Sequence, residues 1–489
     1  MKLLRTSPES QGINPEAIRH FLSRIQEEKI EIHSFLLVKN GRVVSECWWE
    51  PCAPQYRHQL FSLSKSFTST AIGMAVSEGL LTTDTLLTDI FRKETEELGE
   101  HIDEKMKRMT VKNLLTMGTG MEYENWMPIS WDNGEPNNIK NFLSSHIKHE
   151  PGSAFFYNTM ATYMLSAALT RLTGEKLVDY LRPRLFEPLE IDPIWEEDNL
   201  GNSFGGYGLT IRTEDIAKFG QLYLQKGKWD GRQILDEKWI EEATSKQISN
   251  GSDPASDWAQ GYGYQFWRCT PKDVYRGDGA GGQFCIVMPD ENAVVAITSS
   301  TENMQGVLNI VWETLLPTLR ESPNTEEPSV SGEPFRGRFS YVQADENAAH
   351  YPTLHASYRP AECPAESKIG ALTVQRIFVD FDHDDLVLSL FFAGKGSPVV
   401  YRAKCGEWTE NTVPRLKIEQ DPVSFWLTLN EIFFRAKVRG EWNPETQTLA
   451  LTVWHYETPV KLQLQFTFSD SKLSLYHEKN PNALEFCKE

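Results

Sequence analysis

The 489-residue sequence predicts an α/β (α+β) fold, an antiparallel sheet flanked by helices, followed by a separate all-β domain of barrel or sandwich type. Three observations carry this. Strand-like apolar runs lie near both ends of the first 320 residues, with helical patterns between them. A stretch rich in Pro, Ser and Glu then interrupts the pattern. Beyond it helix signals nearly vanish and two-residue alternation takes over.

The first element is a hairpin. Phe35-Leu36-Leu37-Val38 and Val43-Val44 flank Asn40-Gly41, the pair that supplies two positive φ values to a type I′ turn. Helices follow over Ser66–Leu80, with Gly79 as a stop, and over Val111–Met117, Thr159–Thr173 and Asp215–Leu224. Gly174 stands just past the third. Sheet character returns at Tyr262–Trp267, where Gln265 is read as facing the site, and at Phe284–Met288 and Ala293–Thr298. Arg320–Pro334 carries Pro323, Pro328 and Pro334 among Ser, Glu and Asn, which is linker chemistry. The expected domains are 1–320, a linker over 321–334, and a β-rich domain over 335–489. In that last part Leu386–Phe392, Trp426–Phe434, Leu449–Trp454 and the alternating Lys461–Phe468 read as strands. Trp442-Asn443-Pro444 and Lys395-Gly396 read as turns.

Composition narrows the function. The chain is 40% hydrophobic and 24% charged, as a folded globular protein is, so disorder is not its main state. A formal net charge of −19 argues against a nucleic-acid partner, because neutralising phosphates needs clustered Lys and Arg. No run approaches 18 apolar residues, and the N-terminal segment turns polar too early for a signal peptide, so no membrane partner is expected. Seven thinly spread cysteines are not a disulfide framework and suit a reducing, cytoplasmic setting. His146 and His149 have HxxH spacing without a third ligand, so no metal is expected.

Three motifs compete for the chemistry. Gly277-Asp278-Gly279-Ala280-Gly281-Gly282 matches GxGxxG, but it runs into the strand Phe284–Met288 rather than a helix whose N-terminus could hold a pyrophosphate. Gly201-Asn202-Ser203-Phe204-Gly205 matches GxSxG, yet an acidic run precedes it and glycines follow it, so the strand–turn–helix of a nucleophile elbow is missing. That reading leaves a glycine loop near a site. Ser62-Leu63-Ser64-Lys65 is an S-x-x-K pattern, which also occurs at Ser145/Lys148 and Ser469/Lys472. Only Ser62 opens a helix of small side chains suited to tight burial. At such a helix start, residues i and i+3 share a face, so Lys65 can reach the Ser62 hydroxyl. The helix N-terminus favours developing negative charge, and burial makes a lysine easier to deprotonate, which gives a base without histidine. A capping serine beside a surface lysine is the plainer alternative.

Further segments in the same order make a resemblance. Phe61–Ser69, Leu114–Met121, Pro151–Asn158, Leu172-Thr173-Gly174, Phe186–Leu189 and Gly279–Gln283 together resemble the serine β-lactamase and penicillin-binding-protein superfamily, in its class C-like branch of esterases, amidases and D-peptide hydrolases. The resemblance covers roughly residues 10–320. It implies a β-lactamase/transpeptidase-like fold, Ser62 as acylated nucleophile, Lys65 as general base and Tyr157 as proton relay. The backbone N–H groups of Ser62 and Ala280 would form the oxyanion hole, and Asn158, Thr159, Asp278, Gly279 and Gln283 would contact substrate. No cofactor is implied. Two departures matter. The second motif, usually Tyr-x-Asn, ends in Thr159, with asparagine moved to 158. The third lacks its Lys or His, since Gly277-Asp278-Gly279 stands there, and Arg276 is expected on the opposite face of the strand.

The reading is a serine hydrolase acting on a small neutral ester or amide. The alternatives are a D-amino-acid peptidase or weak β-lactamase, and a non-catalytic module that binds acyl ligands. Trp126, Trp131, Trp258 and Trp267 are candidates for a substrate cleft. Trp408, Trp426, Trp442 and Trp454 are candidates for a pocket in the β domain, though core packing is the commoner role for both sets. Sequence leaves the oligomeric state open.

Overall fold

A computed structural model describes residues 3–123, 137–324, 332–341, 349–361, 368–369, 372–392, 397–414, 433–458, 460–477 and 480–489. Trp126, Trp131, Trp426 and the Lys395-Gly396 turn lie outside the described residues. The chain divides into two compact units, Met1–Trp49 with Ala53–Phe339, and Glu50–Cys52 with Ser340–Glu489.

In the first unit, strands from the two chain ends form one sheet. Its order is Leu4–Arg5, Arg42–Glu50, Ile32–Lys39, Ala293–Ser299, Gln283–Met288, Tyr275–Gly279 and Trp267–Arg268. All neighbours are antiparallel except Leu4–Arg5, which runs parallel to Arg42–Glu50. The central strands are buried along their whole length, because both faces are covered, and this is why they read as continuous apolar runs. On one face Ile18, Phe21 and Ile25 of the Pro15–Glu27 helix join Val307, Leu308 and Val311 over Phe35, Leu37, Phe284, Ile286 and Val295. The Thr213–Leu224 helix lies on the other face, where Cys285 donates to the Ile216 carbonyl at 3.5 Å.

Two expectations need correction here. Of the segment Tyr262–Trp267 only Trp267–Arg268 enters the sheet. Gln265 instead takes a left-handed backbone (φ +65°) and does not face the site. Its amide donates to the Leu114 and Leu115 carbonyls and accepts from Thr162, so it ties the end of one helix to the flank of another. At the far end, residues 321–324 are docked rather than loose. Ser322 Oγ donates to the Gly12 carbonyl and Lys39 to Asn324 Oδ1, and Phe335–Ser340 pairs with Arg42–Glu50.

The second unit is a nearly closed β-barrel. Among the described residues ten strands run Val399–Lys404, Asp385–Phe392, Leu372–Asp382, Leu354–Pro360, Asn480–Lys488, Lys472–His477, Val460–Phe468, Thr448–His455, Phe433–Asn443 and Thr409–Pro414, with Lys368–Ile369 paired to Leu372–Asp382 beside them. The first and last strands meet at a seam, where the Asn411 side chain accepts from Arg402 N at 2.9 Å and donates to Arg402 O at 2.8 Å. Alternation along Thr448–His455 places Leu449, Leu451 and Val453 in the interior. Among the described residues, Trp408, Trp442 and Trp454 do not form one pocket. Trp442 packs inside against Phe381, whereas Trp408 and Trp454 meet edge to face at 6.0 Å, outside the interior cluster.

Candidate active site

The nucleophile segment is built by a turn. The strand His58–Gln59 pairs with Thr210–Ile211, and the chain then enters a short 3-10 turn over Phe61–Leu63. Phe61 has φ +48°, a left-handed conformation rare for a bulky residue, and the turn leads directly into the Ser64–Ser77 helix. Lys65 is 1% exposed. Its Nζ lies 3.1 Å from Ser62 Oγ, 3.2 Å from Thr159 Oγ1 and 2.8 Å from the Gly206 carbonyl. An ammonium donates to all three; a neutral amine in the same place offers its lone pair to the Ser62 proton. Gly206 is required for that approach, since a Cβ there would meet Thr159 Cγ2 at 2.5 Å and the Thr159 carbonyl at 2.8 Å.

Tyr157 completes the group. It precedes the Thr159–Thr173 helix, and its ring centroid stands 4.9 Å from Lys65 Nζ. The ring stacks on Trp267 at 5.3 Å and meets Tyr262 edge-on at 6.3 Å, and Trp267 and Tyr262 themselves cross at 4.7 Å. An aromatic wall therefore fixes the phenol. Burial, with Tyr157 and Asp278 nearby, pushes the Tyr262 phenol well up, so it stays a neutral hydroxyl beside the cleft.

The third segment is the strand Tyr275–Gly279. A Cβ on Gly277 would lie 2.5 Å from Leu63 Cδ1 and 2.6 Å from Ser66 Oγ, and one on Gly279 would lie 2.0 Å from the Leu60 carbonyl. The glycines thus let this strand lie flush against the nucleophile turn, which is their purpose here rather than cradling a phosphate. Ala280 follows at an exposed turn closed by Gly282 N–H donating to Gly279 O at 3.0 Å.

Several residues named from sequence stand elsewhere. Asn158 is fully buried and caps the Thr159–Thr173 helix by accepting from Ala161 N at 3.2 Å, so it is not a substrate contact. Gln283 is also fully buried. Its amide donates to the Ala280 and Ser299 carbonyls at 2.9 and 2.8 Å and accepts from Ser299 N, which positions the Ala280 peptide rather than substrate. Asp278 is not a bare anion. Arg276 lies two residues away on the same face, opposite to that of Gly277, and its Nε and Nη2 both lie 2.9 Å from Asp278 Oδ2. Burial opposes the Arg276 charge, but Asp278, Cys269 and Asp257 outweigh it and hold the guanidinium above its ordinary value. Ser203 is fully buried, its hydroxyl without a hydrogen-bond partner among the described residues, and is no exposed nucleophile. His146 and His149 turn to different carboxylates, Asp103 and Glu122.

Four residues take roles that the sequence did not give them: Thr159 and the Gly206 carbonyl as partners of Lys65, and Trp267 with Tyr262 as the support of Tyr157. The glycine loop at 201–208 carried the only sequence signal for the second.

A buried histidine pair underlies the nucleophile turn. His58 Nδ1–H donates to the Gln59 carbonyl at 2.9 Å, leaving Nε2 as acceptor 2.9 Å from His33 Nδ1. Burial, then the proximity of His33, lowers the His58 pKa to about 3. The folded value lies below that of the unfolded chain, so this stabilisation is complete above pH 6.5 and is lost as pH falls towards 3. At pH 5 the loss from this one group should be about 2 kcal/mol. Urea midpoints at pH 7.5 and 5 test it: His58→Gln should shrink the difference between them, and an unchanged difference would refute the assignment.

A family model described as Beta-lactamase matches residues 19–312. A 6-aminohexanoate-dimer hydrolase of Paenarthrobacter ureafaciens is 25% identical over 290 residues, covering 55% of this chain and 72% of that protein. Penicillin-binding protein 4 of Amycolatopsis lactamdurans is 24% identical over 281 residues, 49% of this chain and 71% of that one. Among solved structures, a penicillin-binding protein homologue from Caulobacter crescentus superposes with a TM-score of 0.51 at 15% identity. That match covers 64% of this chain and all of the other. Among the described residues no helix is long and apolar enough to cross a membrane.

Proposed function

The chain belongs to the beta-lactamase family of serine hydrolases, and from that premise we propose that it forms an acyl-enzyme on Ser62 and hydrolyses a small neutral amide or ester. The observation that carries this is the fully engaged Lys65, 3.1 Å from Ser62 Oγ with Tyr157 over it. Neutral Lys65 takes the Ser62 proton as Oγ attacks the carbonyl carbon. The N–H groups of Ser62 and Ala280 donate hydrogen bonds to the developing oxyanion; one such donor is typically worth about 10²–10³ in rate. Tyr157 passes the proton to the leaving nitrogen or oxygen, the C–N or C–O bond breaks, and water then displaces Ser62 by the reverse path.

Charge favours a neutral substrate. Gly277 has no room for a side chain, and the neighbouring Arg276 is fully buried and paired with Asp278. A substrate carboxylate at this end of the cleft therefore meets no free cation from this strand. The 6-aminohexanoate dimer in the name of the Paenarthrobacter relative supports the amide side of the reading.

Intact-protein mass after a fluorophosphonate probe tests the nucleophile. One adduct is expected on wild type and on Ser203→Ala, and none on Ser62→Ala. Labelling that survives Ser62→Ala sinks the proposal. Turnover of short p-nitrophenyl esters and anilides should exceed that of a chromogenic cephalosporin, and the reverse order would point to a β-lactamase.

A further inference from the structure

We propose that the substrate's leaving group is aromatic and that Phe155 and Trp258 receive it, an inference that rests on the acyl-enzyme reading of Ser62. In that reading Tyr157 hands its proton to the leaving nitrogen or oxygen. Whatever is bonded to that atom therefore starts within hydrogen-bond reach of the Tyr157 phenol and runs along the surface beside it.

That surface is made of rings. Phe155 stands two residues before Tyr157, and both pack on the same two side chains. Phe155 lies 5.3 Å from Tyr262 and 5.8 Å from Trp267, and Tyr157 lies 6.3 and 5.3 Å from them. Trp258 meets the same Trp267 at 6.5 Å. Trp267 and Tyr262 are buried and belong to the core, whereas Phe155, Tyr157 and Trp258 are half-buried. Among the described residues neither Phe155 nor Trp258 makes a further ring contact. A half-buried phenylalanine and tryptophan, anchored on the indole that supports the proton donor, leave apolar area for a ligand to cover.

Geometry and charge select what fits. Phe155 and Trp258 each stand at 66° to the plane of Trp267, the inclined arrangement in which a ring edge meets a ring face. A further aromatic ring extends that pattern; a saturated ring of the same size gains area but not the attraction between edge and face. The Arg276 guanidinium carbon lies 4.4 Å from the Trp258 centroid, and Asp278 already balances its charge. These residues thus offer rings and no unbalanced charge, so the group released is a neutral aryl or arylmethyl alcohol or amine.

Matched esters read one end of the substrate at a time. With the butyryl group fixed, the benzyl ester should show a kcat/KM about 10-fold above that of the cyclohexylmethyl ester, whose leaving alcohol is similar in size and acidity. With ethanol as the fixed leaving group, phenylacetate and cyclohexylacetate should differ by less than about 2-fold, under the worth of one ring pair. Phe155→Leu and Trp258→Leu should each lower the first ratio to about 3-fold, the loss of one ring pair. Both esters are read on one preparation, so a fraction that fails to fold cancels. Where turnover is slow, benzyl alcohol should protect Ser62 from the fluorophosphonate probe at a lower concentration than cyclohexylmethanol does. A first ratio near one, a ratio unmoved by Phe155→Leu, equal protection by the two alcohols, or an aromatic preference on the acyl side overturns this inference and leaves Ser62 in place. Hydrolysis that survives Ser62→Ala overturns the reading beneath it, and this inference with it.

Discussion

Lys65→Met is expected to lower kcat/KM for a p-nitrophenyl ester by about 10³ while leaving the protein folded, because the proposed base is removed and little volume is lost. The lysine is almost wholly buried and stands among three acceptors, of which only Ser62 Oγ reacts. The other two, Thr159 Oγ1 and the Gly206 carbonyl, hold the amine on its target. Their loss should cost about 1–3 kcal/mol of stability through an unpaired buried acceptor. The two losses separate by measurement. Urea denaturation reads the second, and fluorophosphonate labelling well below the melting temperature reads the first. Lys65→Arg keeps the charge and the donors but stays protonated at any working pH, so it should be as slow as Lys65→Met and more stable. Labelling by Lys65→Met within tenfold of wild type would remove Lys65 from the proposed role.

The contrast between these partners shows what could be read from the chain. The S-x-x-K spacing on a helix of small residues needed only local geometry, and so did the hairpin at Asn40-Gly41 and the alternation of Val460–Phe468. All three are legible because the interaction lies within a few residues. Asn158 was open to the same kind of reading. An asparagine just before a periodic apolar run is a helix cap, and the resemblance to a Tyr-x-Asn motif drew it towards the substrate instead. Gln265 and Gln283 were not legible. Each satisfies carbonyls brought to it by distant segments, Leu114 and Leu115 in one case and Ser299 in the other, and no local pattern encodes such closures. The carbonyl of Gly206 lies 141 residues from the lysine it orients, and the glycine loop around it signalled only that a site was near. In the barrel, alternation reveals which residues face inward, but the order in which strands close does not follow from it. The seam between Val399–Lys404 and Thr409–Pro414 is a tertiary fact.

Arg276→Met should destabilise the first unit by about 3–5 kcal/mol, the cost of leaving a buried charge without its partner. Asp278 is 6% exposed, and its Oδ2 is held by two guanidinium nitrogens at 2.9 Å. The guanidinium also donates to the Asp257 carbonyl at 2.9 Å, and its central carbon lies 4.4 Å from the Trp258 ring centroid. Removing it therefore frees a carboxylate, a carbonyl and one face of an indole together. The double variant Arg276→Met/Asp278→Asn separates the charge from the rest. If the unpaired carboxylate dominates, the double variant regains more than half of the loss in urea titrations at pH 7.5. If lost packing on Trp258 dominates, it regains almost nothing. The pair stands beside the wall that supports Tyr157, because Trp267, which stacks on Tyr157, also lies 5.8 Å from the Arg276 guanidinium. Activity at low temperature should thus fall with Arg276→Met even where the protein remains folded, and recover with the double variant in step with stability. A single variant that costs under 1 kcal/mol would mean that Asp278 sheds its charge once alone. The neutral-substrate argument would survive that result, since it rests on the lack of a free cation and not on the presence of an anion.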